Sequence, residues 1–104
     1  HVADAQYFFC GAASGQRVAP KGVEKSATTK ESSIAGLKES FAFCDGVYAK
    51  MTDANAAEMV NLMGQRTKLS ALDFNVAHNY EHYGNLVTYM RMKGIVPPSS
   101  EPRR

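Results

Sequence analysis

Apolar residues recur along the chain at helical spacing, and no stretch alternates apolar and polar positions in the way a half-buried strand would. The clearest pattern is Ile34, Leu37, Phe41, Cys44, Tyr48 and Met51, whose steps of three and four draw one stripe down a helix. Thr28 and Glu31 fit a capping box at its start: the Thr oxygen accepts from a first-turn amide and the Glu reaches back. Ahead of it a helix is expected from His1 to about Ala13, with His1, Ala5, Phe8 and Ala12 on one side and Tyr7 and Phe9 flanking them. The Gly, Pro and Ser of SGQRVAPKGVEKS make residues 14–27 a loop.

Further along, Thr52 or Asp53 can cap a short third helix carrying Ala56, Met59, Val60 and Met63, with Gly64 stopping it in the left-handed conformation. Its methionines read as core filler. The last helix should run from about Lys68 to about Lys93. Arg91 and Lys93 suit the negative end of its dipole, Gly94 terminates it, and Pro97 and Pro98 forbid continuation. The architecture that follows is all-α, an antiparallel bundle forming one domain over residues 1–104, with a Pro-rich tail at 95–104.

Composition narrows this picture without redirecting it. With 44% apolar residues in 104, the chain can bury one modest core. Its 12 basic and 10 acidic residues are scattered, with Arg103 and Arg104 adding a basic terminus; no dense basic face reads as a nucleic-acid footprint. No apolar run is long enough to span a bilayer, so a soluble chain with no membrane partner is expected, in the cytoplasm or exported. Cys10 and Cys44 lack the spacing of a redox or zinc motif; two buried free thiols are the expectation, a single disulfide the alternative. The helical pattern begins at His1 without a lead-in, so a processed or shortened segment is expected.

Chemistry concentrates in the last helix. His82 lies one turn beyond His78 and about 40° around the axis, so both imidazoles can reach one point. Ala71, Phe74, Asn75, Asn85 and Tyr89 share that side, which faces inward and therefore needs partners for its polar groups. A divalent ion would satisfy both imidazoles, but two ligands hold a metal poorly, and the one other histidine is His1. As the start of a helix whose next turns are apolar, His1 should face the same core; a frayed terminus is the competing reading. HNYEH also matches H-x-x-E-H, the inverted zinc-peptidase signature in which Glu81 would be the general base, but that reading needs a further acidic ligand. Glu81, at the edge of the inward side, can otherwise support a histidine or remain a solvated carboxylate. Gly84, costly inside a helix, suggests close approach of a neighbouring helix.

The stretch AHNYEHYGNLVTYMRMKGIVPPSS resembles the closing helix and tail of the DinB family of metal-binding four-helix bundles, and HVADAQYFFC resembles the start of that family's second helix. The resemblance implies a three-histidine site of His1, His78 and His82 holding a divalent metal, zinc or nickel foremost, with water completing the coordination. It implies a metal-dependent hydrolase or a transferase using a low-molecular-weight thiol, and a homodimer. Asn75, Asn85, Tyr89 and Glu81 are then the nearest candidates for orienting the ligands or a substrate. The family's first helix has no counterpart here, which predicts an apolar groove filled either by further chain or by a second chain. Three classes stay open: a metal-dependent enzyme, a bundle with a structural or vestigial metal, and a metal-free interaction module. Were His1 a mature terminus, its α-amino and imidazole nitrogens could chelate copper together.

Overall fold

The computed structural model describes residues 1–16 and 18–103; Arg17 of the expected loop and Arg104 of the basic terminus lie outside them. The chain order is α1 (Val2–Ser14), α2 (Val23–Ser26), α3 (Lys30–Tyr48), α4 (Asp53–Ala56), β1 (Met59–Asn61), β2 (Gln65–Thr67) and α5 (Lys68–Met92), followed by a single 3₁₀ turn at Pro98–Ser100. Three long helices dominate, so the fold is helical with one small hairpin. No helix among the described residues is long and apolar enough to cross a membrane.

α1 is the central element and packs on both α3 and α5. The Gln6 amide donates to Ser40 Oγ at 3.0 Å and Cys10 is bonded to Cys44, so positions along α1 and α3 rise together and the two helices run the same way. Phe9 stacks on Phe74 while His1 meets His78 and His82, which makes α5 antiparallel to α1. Neighbours running in one direction need a long return connection, and residues 15–29 supply it. α3 and α5 meet at the Tyr48 hydroxyl, which donates to the Leu72 carbonyl at 3.1 Å and accepts from the Asn75 amide at 3.3 Å. From there they diverge, leaving a groove of about 590 Å³ whose walls include Leu37, Phe41 and Leu86 and whose mouth reaches His1 and His82. The walls of this groove are mostly apolar.

The core lies at the opposite end, built from Phe9, Cys10, Ala13, Cys44, Val47, Val60, Leu62, Ala71 and Leu72. The cysteines correct the free-thiol expectation. They face each other across the α1–α3 contact with Cα atoms 5.5 Å apart and form a disulfide, a proximity that their separation of 34 residues does not reveal.

The third helix is also corrected. α4 stops after one turn, and Met59–Asn61 pairs antiparallel with Gln65–Thr67, with Val60 opposite Arg66. Val60 and Leu62 point into the core while Met59, Asn61 and Met63 are exposed, a period of two that outweighs the helical steps among the methionines. Met63 and Gly64 both take positive φ, 50° and 106°, so Gly64 serves a hairpin turn rather than a helix stop, and Asn61 Oδ1 accepts from its amide. Met59 and Met63 are therefore not core filler.

Smaller shifts follow the same logic. The capping box is formed by Thr29 and Ser32, one residue past the expected Thr28 and not with Glu31, because the Ser32 hydroxyl is short enough to return to the Thr29 amide. The loop over 14–27 contains the turn α2. On α1 the buried face is Ala3, Gln6, Tyr7, Phe9, Cys10 and Ala13, whereas Phe8 is exposed. On α3 the stripe straddles core and groove: Cys44 is buried and Leu37 partly so, but Ile34, Phe41 and Tyr48 are exposed. α5 begins and ends as its sequence indicates, with Thr67 Oγ1 accepting from the Ser70 amide and Gly94 left-handed at φ 69°. A Cβ built on Gly84 would meet nothing within 4 Å, so among the described residues no neighbouring helix explains that glycine.

Candidate metal centre

α1 starts at Val2 with His1 as its N-cap residue, and the imidazole makes no capping bond. That leaves the ring free to swing toward α5, where His78 and His82 stand one turn apart. The three Nε2 atoms converge: His1 to His78 at 3.2 Å and His82 to His78 at 3.1 Å. One nitrogen from each ring lies within 4.8 Å of the others, and this grouping of metal-type donors contains no carboxylate. The further acidic ligand that an inverted zinc peptidase needs is absent from it.

His1 departs from expectation in one respect. Its side chain is 55% exposed rather than buried in the core, so it closes the site from the solvent side. His78 sits deeper, and its Nδ1 is buried with no hydrogen-bond partner among the described residues. Burial, followed by the positive charge His82 would carry, pushes the His78 pKa below 6.5, while the Glu81 charge opposes that shift. A neutral His78 keeps the lone pair that a metal requires.

The donor set fits a divalent ion on its own chemistry. Three neutral imidazole lone pairs aimed at one point repel unless a proton or a cation lies among them, and three histidines with remaining open positions form a recurrent zinc arrangement. Support comes from a residue with no sequence signal. His1 Nδ1 faces the Glu24 carboxylate at 3.2 Å. The Asp4 carboxylate, one turn into α1, accepts from the backbone amides of Val23 at 3.0 Å and Glu24 at 2.9 Å. The Glu24 amide, chief among these, holds the Asp4 carboxyl below its ordinary pKa.

The other expected site residues fall elsewhere. Asn75 is buried, with its amide directed at Tyr48 Oη and Cys44 Sγ, and belongs to the core. Asn85 and Tyr89 are exposed and line the groove beyond His82. Glu81 is exposed, and its charge opposes the lowering of the His78 pKa. Asn79, which the sequence does not mark, lines the groove with its Oδ1 buried and without a hydrogen-bond partner among the described residues. Its position beside His78 was the one available hint, whereas Glu24 lies in a loop without periodicity.

No curated protein and no solved structure matches the chain. Residues 1–86, which include all three histidines, match the family model described as the DinB superfamily. That match covers most of the 104 residues and agrees with the helical fold and the histidine cluster: the chain belongs to the DinB superfamily.

Proposed function

We propose that this protein binds a divalent metal, zinc or nickel, through His1, His78 and His82 and uses it in a hydrolytic or thiol-dependent transfer reaction on a small molecule. The convergence of the three rings carries the reading, with the Nε2 atoms of His1 and His82 3.2 and 3.1 Å from that of His78. Such an ion supplies Lewis acidity, polarising a substrate and easing loss of a proton from water or a thiol. The protein's own contribution is to fix the donors: α5 presents His78 and His82 from one continuous helix, burial favours the neutral form of His78, and His1 stands on the solvent side. The adjoining groove offers a small molecule apolar walls at Leu37, Phe41 and Leu86 and polar groups at Asn79, Asn85 and Tyr89.

Metal analysis of the purified protein, repeated on His78→Ala and His82→Ala, tests the reading. We expect stoichiometric metal in the wild type and loss of it in both variants with helical content retained. Loss of metal together with the fold would favour a structural ion, and a metal-free wild type would favour an interaction module. The homodimer belongs to the same proposal; a monomeric mass in solution at working concentration would remove it.

A further inference from the structure

Two of the three imidazoles are fixed by a continuous helix, but His1 is at a helix end with more than half its side chain in solvent. Something else must hold its ring. The loop turn α2 is tied down on two sides: its first two amides donate to Asp4 of α1, and the Val23 side chain seats against Gly36 of α3, where an added Cβ would lie only 2.5 Å from Val23 Cγ1. This anchored turn returns Glu24 to His1 Nδ1, so the contacts close a ring from His1 along α1 to Asp4, across to Glu24 and back.

We infer that Glu24 is a positioning residue for His1: its carboxylate accepts a hydrogen bond from Nδ1–H and thereby turns the Nε2 lone pair toward His78 and His82. A neutral imidazole carries one N–H, and an acceptor placed at one nitrogen fixes which nitrogen keeps it. Asp4 acts one step further back by holding the turn that carries Glu24. Its role at the metal rests on the metal-binding reading above, but the hold on His1 does not.

Two measurements on the full chain separate these claims. Nitrogen-15 NMR of the metal-free protein, at a pH where its histidines are neutral, reads the His1 tautomer. Zinc titration against a competing chelator reads affinity. We expect the Nδ1–H tautomer in the wild type, a mixture in Glu24→Ala, and recovery in Glu24→Gln, whose amide oxygen still accepts. Zinc affinity should fall about 10- to 100-fold in Glu24→Ala, less in Glu24→Gln, and to an intermediate degree in Asp4→Asn. In a His1→Ala background, Glu24→Ala should cost nothing further. An unchanged tautomer and affinity in Glu24→Ala overturns the proposal, as does an equal loss of affinity with and without His1, which would make Glu24 a ligand itself. A wild type that takes up no zinc refutes the metal reading, and the tautomer alone then decides whether Glu24 orients His1.

Discussion

The two ends of α1 contrast. At the Cys10 end, Cys10, Ala13, Leu62, Ala71 and Leu72 are each at most 2% exposed, the disulfide joins α1 to α3, and α3 meets α5. At the His1 end, roughly 13 Å away along the helix, α3 and α5 have parted, a groove opens, and three imidazoles face one another beside it. The closed end holds the core, and the open end carries the three histidines of the proposed metal site. Mutations should therefore sort by end, with stability and metal affinity moving separately.

The largest effect is expected from Leu62→Ala, which empties a site that is 1% exposed under the hairpin. It should cost about 2–5 kcal/mol in denaturant unfolding, while zinc affinity of the folded fraction stays at the wild-type value. Replacing Cys10 and Cys44 together with alanine should cost about 2–4 kcal/mol by freeing the unfolded chain, again without loss of zinc affinity. Wild-type protein unfolded without reductant should take up no alkylating agent. A large fall in zinc affinity in either variant would show that the two ends are coupled.

What the sequence revealed divides along the same line. The long helices follow from their periodicity, and the end of α5 from Gly94 and the double proline, whereas its Thr67 cap is seen only in the structure. The histidine pair was legible because four-residue spacing has one geometric meaning on a helix. His1 was a candidate as the one other histidine, at the start of a helix expected to face the same core, and the family resemblance joined it to the pair; its actual position depends on how α1 lies across α5. The hairpin was hidden because Met59, Val60 and Met63 fit helical steps as well as the alternation at Val60 and Leu62, and only packing on α5 decides. The disulfide and the Glu24 contact are products of tertiary approach across 34 and 23 residues, for which local sequence carries no signal.

Smaller perturbations sharpen the contrast at the open end. Gly84→Ala should stabilise the protein by about 1 kcal/mol, because a methyl group there meets nothing and glycine is costly in a helix. A loss of stability instead would reveal a helix covering this face in solution. Mild acidification should act weakly, through His78. With the His78 pKa lowered in the fold, the unfolded chain takes up its proton first, so stability of the metal-free protein should decline as pH falls below 6.5 toward the folded value. His78→Ala should flatten that decline.

X-ray absorption at the zinc edge of the zinc-loaded protein tests the central claim most directly. The account predicts one tightly held ion whose coordination includes three imidazole nitrogens and no sulfur, with the imidazole signature reduced in His1→Ala, His78→Ala and His82→Ala alike. A wild type that binds no zinc, or one whose spectrum is unchanged when His1 is removed, would contradict it.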